Sequence, residues 1–293
     1  MSDDLHVPVL LEDTVKVLSP KKGDRYLDLT AGYGGHAKEV IKIIGDESLA
    51  TLVDRDDFAI EHLKKKFTRA RIIKSDFAGA IDILKKEKLK FDVILADLGV
   101  SSVQLDQPER GFGFKNDSEL DMRMDRSQSL TAKEVLNNYP KNELIRILKE
   151  YGDEPRARRI VELVIENRPL NSTSQLEELV GRVYPGYSKK NPATRTFQAI
   201  RIEVNDEMGQ LRKLLSNITE VLEQEARLAI ITFHSLEDVI VKKFFKENSG
   251  KYDGVVKDLK VLKSSDTIDS IRNLRSRSAI LRSVIYENKH NTK

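Results

Sequence analysis

Short apolar segments alternate with helix-compatible segments through the first hundred residues, and this alternation constrains the fold more than any other feature of the chain. The β-prone segments cover residues 25–30, 49–54, 71–74 and 91–97. Apolar residues at helical spacing lie between them, within residues 37–44, 58–67 and 81–88. Continuous apolar strands that alternate with helices are typical of βαβ units, whose parallel sheet is covered on both faces. The sequence therefore predicts an α/β fold with a doubly wound sheet.

The pattern changes after Asp97, where residues 98–128 are rich in Gly, Ser, Asp and Arg and show no periodicity. Non-regular chain of that length within a compact domain is usually functional. Helical spacing returns between residues 131 and 183, where three or four predicted helices follow one another without a strand between them. This order predicts a small all-α domain inserted after the fourth strand.

The last third of the chain returns to the α/β pattern. The apolar spacing predicts one long helix from about Glu203 to Gln224, and strands follow over residues 227–233 and 279–286. We therefore expect a domain built from residues 1–106 and 205–293, with the helical insertion at residues 107–204.

Cysteine is absent from the 293 residues. Disulfide scaffolds, thiolate zinc sites, thiol nucleophiles and iron–sulfur clusters are therefore excluded, and any catalysis uses oxygen or nitrogen groups or a cofactor. The acidic N-terminus lacks the features of a secretory signal, and no apolar run approaches the ~20 residues of a membrane span. These features predict a soluble, cytoplasmic protein.

The formal net charge is only +3, because two basic segments are set against a net-acidic remainder. Residues 271–293 carry six basic side chains and one acidic side chain, and residues 179–202 carry five basic side chains and no acidic one. Basic clusters of this kind suit a phosphate-rich partner. They are equally compatible with an ordinary solvated surface.

A glycine-rich turn follows the first predicted strand, in the sequence DLTAGYGGHA of residues 28–37. Glycines at the carboxyl edge of a parallel sheet let the backbone turn sharply and approach a ligand closely. Asp54 ends the second predicted strand, where a carboxylate is placed to accept hydrogen bonds from ribose hydroxyls. The combination predicts a ligand that carries adenosine.

Two adenosine cofactors fit this pattern, NAD and S-adenosylmethionine. Gly32, Gly34 and Ala37 satisfy the G-x-G-x-x-A dinucleotide pattern. Asp28 instead favours S-adenosylmethionine, because a carboxylate beside the turn suits an ammonium group and suits a pyrophosphate poorly. A purely structural role for Asp28, tying the turn, also accounts for its position. Phe77, after the third predicted strand, is a candidate to stack on the adenine or to pack in the core.

Eight segments of the chain, the glycine turn among them, resemble the RsmH (MraW) family of ribosomal small-subunit RNA cytosine N4-methyltransferases in order and spacing. The segments are 6–12 (HVPVLLE), 28–36 (DLTAGYGGH), 97–106 (DLGVSSVQLD), 110–114 (RGFGF), 120–125 (LDMRMD), 191–201 (NPATRTFQAIR), 233–238 (FHSLED) and 273–278 (NLRSRS). So many separate matches over nearly the whole length are far more specific than one glycine turn.

The resemblance implies a class I S-adenosylmethionine-dependent methyltransferase fold, with a Rossmann-like doubly wound sheet and an inserted small all-α domain. It implies methyl transfer to the N4 amine of a cytidine in the decoding region of 16S ribosomal RNA, with the small ribosomal subunit as partner and neither DNA nor a membrane. Oligomeric state is left open. Carried over by position, the family's S-adenosylmethionine contacts fall on Gly34, Gly35, His36, Asp54, Phe77, Asp97 and Gln104.

The exocyclic amine of cytosine is a weak nucleophile, because its lone pair is delocalised into the ring. An enzyme must therefore hold the amine with hydrogen-bond acceptors. Asp97 is the first candidate for this catalytic role, and the backbone carbonyls of residues 98–101 are the alternative. His234, after the fifth predicted strand, is the second candidate, as a base or a base-edge contact. No metal is predicted, although His234 and Glu237 have a spacing found in metal sites, since transfer from a sulfonium needs none.

Two other functions stay open on the residues alone. An NAD-dependent dehydrogenase accounts for the glycine pattern but leaves the basic segments and Asp97 unexplained. A non-catalytic RNA-binding protein on a methyltransferase scaffold leaves Asp54, Asp97 and the intact glycine turn without a purpose.

Overall fold

The computed structural model describes residues 8–114, 116–186, 191–249, 256–267 and 274–287, with the side chains of 274 and 275 excepted. The chain divides into two compact units. One comprises the described residues of Met1–Gly99 and Met208–Lys293, and the other those of Val100–Glu207. The second unit thus interrupts the first in sequence.

The first unit contains a seven-stranded sheet. Its strands are β1 (Tyr26–Asp28), β2 (Ala50–Asp54), β3 (Arg71–Lys74), β4 (Phe91–Asp97), β5 (Leu222–Thr232), β6 (Val256–Lys263) and β7 (Ile280–Tyr286). The spatial order is β3-β2-β1-β4-β5-β7-β6. The first five strands in this order run parallel, and β7 is antiparallel to both of its neighbours.

Strand β1 lies at the point where the order of strand addition reverses. Leu27 pairs with Thr51 of β2 on one side and with Ile94 of β4 on the other. Open α/β sheets bind their ligands at the carboxyl ends of the strands beside such a switch point. The candidate site is therefore expected at the end of β1 and β4.

The described residues form twelve α-helices. They are α1 (Leu11–Leu18), α2 (Gly35–Ile44), α3 (Asp57–Lys66), α4 (Phe77–Lys86), α5 (Ser102–Asp106), α6 (Ala132–Asn138), α7 (Lys141–Glu150), α8 (Ala157–Glu166), α9 (Thr173–Val183), α10 (Ala193–Val204), α11 (Glu207–Asn217) and α12 (Ser235–Glu247). The second unit is built from α5 to α10 without a strand, in agreement with the helical periodicity of its sequence.

Successive strand residues of the first unit enter two separate cores, because side chains alternate between the faces of a sheet. Leu27 and Ile94 pack with side chains of α4, α11 and α12. Their neighbours Tyr26 and Leu95 lie in the other core, with side chains of α1, α2 and α3. Both faces of the sheet are covered, which confirms the α/β, doubly wound fold predicted from the continuous apolar strands.

Side-chain packing sets the division between the units. Val100 and Leu105 pack against the core of the helical unit, whereas Leu211 and Leu214 pack against the sheet. The division accordingly falls at Gly99/Val100 and Glu207/Met208, whereas the sequence placed its boundaries at 106/107 and 204/205.

The prediction of one long helix over residues 203–224 is wrong. Helix α10 ends at Val204, α11 begins at Glu207, and β5 begins at Leu222. Asp206 has a φ of 46°, a left-handed conformation that a continuous helix does not accept. The apolar spacing continues across the break, so periodicity did not reveal it.

Strand β6 was also missed, because this edge strand is mostly exposed and rich in lysine, which commonly protects sheet edges.

The non-regular segment after α5 is built into the helical unit by buried hydrogen bonds. Arg110 is 1% exposed, and its guanidinium donates to the backbone carbonyls of Arg123 and Met124, each at 3.1 Å. Asn205 accepts from the N–H of Met124 at 2.8 Å and donates to the carbonyl of Met122 at 2.8 Å. Phe112 lies in the core of the same unit, so its ring packs inside the unit and offers no stacking surface for a base.

Candidate cofactor site and active site

The turn after β1 has a backbone conformation that requires glycine. Gly34 has a φ of 71°, and a Cβ atom at this position would lie 2.3 Å from Cε2 of Phe67. The N–H of Ala31 donates to the carbonyl of Val53 at 2.8 Å, and that of Gly34 donates to the carbonyl of Ala31 at 2.8 Å. The turn is therefore held tightly against the end of β2, and it leads directly into α2.

Asp54 joins β2 to the same turn. Its Oδ2 accepts a hydrogen bond from the N–H of Gly32 at 2.8 Å, and its Oδ1 accepts one from the N–H of Asp56 at 2.9 Å. Burial raises the pKa of the Asp54 carboxyl, and these two hydrogen bonds oppose the rise. A carboxylate has about four acceptor positions, so Asp54 retains capacity to accept from ribose hydroxyls.

Asp28 is 1% exposed and holds the start of the turn by hydrogen bonds. Its Oδ2 accepts from the hydroxyl of Tyr26 at 2.8 Å, and its Oδ1 accepts from the N–H of Thr30 at 3.2 Å. Burial raises the pKa of the Asp28 carboxyl to about 6. Of the two roles left open by the sequence, these contacts match the structural one.

His36 and Asp97 meet at the switch point of the sheet. His36 is 6% exposed in the first turn of α2, and its Nε2 lies 3.6 Å from Oδ2 of Asp97. Both nitrogens of His36 and Oδ1 of Asp97 are buried without a hydrogen-bond partner in the described part of the chain. Buried polar atoms are nearly always paired, so these unpaired atoms suit a site that receives a polar ligand.

Two backbone hydrogen bonds hold the end of β4. The N–H of Asp97 donates to Oγ1 of Thr30 at 2.6 Å, and the N–H of Leu98 donates to the carbonyl of Ile231 at 3.0 Å. Thr30 and Tyr26 were missed as site residues in the sequence. The contact of Thr30 with Asp97 depends on which strands become neighbours, and no local signal in the sequence carries that information.

Phe77 is the first residue of α4, which begins after Asp76. Oδ1 of Asp76 accepts from the N–H of Gly79 at 2.7 Å and so caps the helix. The Phe77 ring is half-buried and packs against the core beside α4. The ring therefore contributes to the core and keeps an accessible side at the carboxyl end of β3.

Six of the seven cofactor contacts implied by the resemblance belong to the sheet unit, at or just after the carboxyl ends of β1 to β4. They are Gly34, Gly35, His36, Asp54, Phe77 and Asp97. The seventh, Gln104, belongs to the helical unit. Gln104 is buried, and its Oε1 accepts from the N–H of Ser101 at 3.0 Å. In return, the backbone N–H of Gln104 donates to Oγ of Ser101 at 3.1 Å. This reciprocal pair caps α5.

His234 follows β5 and precedes α12. Its Nε2 lies 3.3 Å from Oε1 of Glu237, and neither ring nitrogen has a hydrogen-bond partner among the described residues. Oε2 of Glu237 accepts from the N–H of Phe233 at 2.8 Å. Because β5 is the parallel neighbour of β4, with Ile231 opposite Asp97, both candidate catalytic residues lie at the same edge of the sheet.

A separate cleft of about 560 Å³ lies near the amino ends of β1 and β4, opposite the candidate site. Arg227 in its wall donates to Asp24 at 2.6 Å and to the carbonyl of Ser19 at 2.7 Å. The cleft is lined by acidic and basic side chains in similar number. Arg227 and Asp24 form an ion pair within the wall, and the balance of opposite charges argues against a charged ligand there.

The sheet order, together with a family model of methylases that matches residues 3–287, identifies a class I S-adenosylmethionine-dependent methyltransferase. The chain belongs to the MraW methylase family, which that model describes. Membership of this family confirms the predicted cofactor and excludes the NAD-dependent and non-catalytic alternatives. Among the described helices, none is long and apolar enough to cross a membrane.

Similar proteins support the assignment over most of the chain. A protein of Caldicellulosiruptor saccharolyticus is 44% identical, with 83% of this chain and 82% of that protein covered. A protein of Rickettsia massiliae is 42% identical, with 96% and 99% covered. Both are named ribosomal RNA small subunit methyltransferase H.

The similarity to two solved structures is weak. An rRNA methylase from Streptococcus thermophilus is 9% identical, with a TM-score of 0.41 and coverage of 94% of this chain and 95% of that one. The N-methyltransferase NodS from Bradyrhizobium japonicum is 8% identical, with a TM-score of 0.43 and coverage of 95% and 94%.

Proposed function

We propose that this enzyme methylates the exocyclic N4 of a cytidine in the decoding region of 16S ribosomal RNA, within the small ribosomal subunit. The names of the 42–44% identical relatives support the ribosomal substrate. The observation that carries the choice of an amine is Asp97, a carboxylate at the switch point whose Oδ1 is buried without a partner among the described residues. Because the proposed substrate is the ribosomal small subunit, the proposal includes a cytoplasmic location for the enzyme.

Seven residues hold the cofactor in this proposal. They are Gly34, Gly35, His36, Asp54, Phe77, Asp97 and Gln104. The glycine backbone permits close approach, Asp54 accepts from the ribose hydroxyls, and the accessible side of Phe77 stacks on the adenine. S-adenosylmethionine supplies a methyl group already activated on a sulfonium, so the protein acts mainly by positioning.

Asp97 holds the cytosine amine. Its carboxylate accepts an N–H from N4, which keeps the nitrogen directed at the methyl group, and it takes up the proton that N4 must lose. The backbone of Asp97 is anchored to Thr30 and the neighbouring Leu98 is anchored to β5, so the backbone that carries the carboxylate is held in place before the substrate binds. Preorganisation of this kind is a major source of rate enhancement.

His234 is the second proposed catalytic residue. It lies at the end of β5, beside β4, with both ring nitrogens unpaired among the described residues. We assign it a contact to the edge of the cytosine ring, with Glu237 orienting the imidazole from 3.3 Å.

The basic segments supply only part of the proposed RNA surface. Arg282 donates to both carboxylate oxygens of Asp238, at 2.8 and 3.0 Å, and is 8% exposed. Arg201 donates to Glu207 at 2.7 and 2.8 Å. Both are structural. Arg277 is exposed and remains a candidate RNA contact, whereas Arg272 and the side chain of Arg275 lie outside the described residues.

The direct experiment is mass mapping of methylated cytidine after incubation of the enzyme with small subunits that lack the modification. N4-methylcytidine in the decoding region, absent with Asp97→Asn, is the expected result. Methylation of another base, or full activity and cofactor affinity of Asp97→Asn, contradicts the proposal. Parallel reactions with free 16S RNA determine whether the assembled subunit is required.

A further inference from the structure

Four polar side chains lie one behind another, starting at the carboxyl end of β4, where methyl transfer is proposed to occur. Asp97 is 23% exposed at that edge, and His36 lies behind it at 3.6 Å. Asp28 interacts with His36, since a positive charge on His36 lowers the pKa of the Asp28 carboxyl. The hydroxyl of Tyr26 closes the row with a hydrogen bond of 2.8 Å to Asp28. All four groups belong to the sheet unit.

The His36 ring offers a place for a proton beside Asp97. Both ring nitrogens are buried without a hydrogen-bond partner among the described residues, so one of them is open to accept a proton. Two carboxylates, Asp97 at 3.6 Å and Asp28 behind it, would balance the charge of an imidazolium formed there. His36 can therefore receive a proton without leaving its place.

We propose that His36 is the residue that relays the proton from Asp97 after methyl transfer, an inference that rests on the proposed function. As the bond from N4 to the methyl carbon forms, the carbon–sulfur bond breaks and its electron pair stays on sulfur. The surplus proton passes from N4 to Asp97 and from Oδ2 of Asp97 to Nε2 of His36, which restores the carboxylate. Asp28 balances the imidazolium. After the methylated base has left, Asp97 takes the proton back and passes it to water.

The separation of 3.6 Å between Nε2 and Oδ2 is longer than a hydrogen bond. Catalytic hydrogen bonds commonly tighten when a substrate is bound. The backbone at Asp97 is held by Thr30, so the approach comes from side-chain rotation. In this step His36 acts on the substrate only through Asp97, so it is a positioning residue and not a catalytic one.

Single-turnover methyl transfer at saturating S-adenosylmethionine, with unmodified small subunits, tests the relay. His36→Gln keeps a polar side chain but cannot take a proton. We expect its rate at saturating S-adenosylmethionine to fall by at least about tenfold, in addition to any weaker cofactor Kd from the altered contact at His36, since proton transfer to a placed side chain contributes ~10²- to 10⁴-fold. Added imidazole should restore part of the rate of His36→Ala. Lys42→Gln, on the exposed face at the far end of α2, is the matched control with unchanged rate.

Several outcomes overturn the relay. A weaker cofactor Kd with an unchanged saturated rate in His36→Gln makes His36 a cofactor contact only, and a lack of imidazole rescue in folded His36→Ala also contradicts the relay. A second measurement needs no methyl transfer. Nitrogen-15 shifts of His36 in the S-adenosylhomocysteine complex should show more protonated imidazole at pH 6 in wild type than in Asp28→Asn or Asp97→Asn. Equal protonation overturns the relay even if the proposed substrate is wrong, and an inactive wild type contradicts only the proposed function.

Discussion

The backbone N–H of Asp97 donates a hydrogen bond to the side-chain hydroxyl of Thr30 across 2.6 Å. Thr30 belongs to the turn after β1, and Asp97 is the last residue of β4, so this bond links the cofactor turn to the carboxylate proposed to hold the substrate amine. One hydroxyl thereby sets the place of Asp97 relative to the glycine turn.

Replacement of this hydroxyl should affect both stability and catalysis. Thr30→Val leaves the N–H of Asp97 without an acceptor, which costs about 1–3 kcal/mol of the free energy of unfolding. We also expect a lower rate of methyl transfer and weaker cofactor binding, because Asp97, proposed to contact both the amine and the cofactor, loses its backbone anchor. Denaturant unfolding and single-turnover kinetics measure the two effects. Thr30→Ser retains the hydroxyl and should stay near wild type; equal losses in both variants would contradict the role of the hydroxyl.

The buried carboxyl of Asp28 should make stability depend on pH. Its pKa is raised from 3.8 to about 6 in the folded protein. Below pH 3.8 the group is protonated in both states, so its contribution is fully present, and it is lost as the pH rises toward and through 6. The loss amounts to about 3 kcal/mol, since each pKa unit corresponds to about 1.4 kcal/mol.

Asp28→Asn removes this charge. We expect the variant to be more stable than wild type at pH 7.5 and the difference to shrink toward pH 4, as measured by thermal unfolding across that range. Titrating groups remote from Asp28 are shared by both proteins and cancel in the comparison. A difference that is constant with pH, or that grows toward low pH, would contradict the raised pKa of Asp28.

The glycine turn should tolerate no side chain at Gly34. Gly34→Ala introduces a Cβ atom 2.3 Å from the Phe67 ring at a φ of 71°, and overpacking of this kind costs about 1–3 kcal/mol. A loss of cofactor affinity should accompany the destabilisation. Gly181→Ala is the matched control, because Gly181 lies in helix α9 with no atom within 4 Å of the added Cβ. That change should stabilise by about 0.5–1 kcal/mol; similar losses at both glycines would refute the argument from space and φ.

Two arginines of the C-terminal basic segment should behave differently toward RNA. Arg277→Gln should weaken binding to small subunits and reduce the slope of log K against log salt by about one, as the loss of one phosphate contact does. Arg282→Gln removes the paired hydrogen bonds to Asp238, a carboxylate 16% exposed, and should cost about 1–3 kcal/mol of stability, with the salt slope of the folded protein unchanged. Salt titrations of binding, together with unfolding curves, separate the two. A reduced slope for Arg282→Gln would place that arginine on the RNA surface.

The α/β fold and the cofactor turn could be predicted because their signals are local. Apolar runs such as residues 91–97 and the glycines of residues 32–35 lie within one element or one turn. The break at Asp206 and the edge strand β6 could not be predicted in this way. The first depends on a single backbone conformation, and the second on pairing with β7, which gives a polar sequence a strand conformation.

The sequence by itself determined the class of fold, the place of the cofactor turn and the family, because periodicity, glycine spacing and motif order are properties of short segments. Only the tertiary structure decided which distant side chains meet. Thr30 and Asp97 are 67 residues apart in the chain and form a hydrogen bond because β1 and β4 are neighbours in the sheet. The same pairing brings His36 to Asp97, and burial raises the pKa of Asp28. Charge, burial and distance at the site are set by strand order, which no local segment encodes.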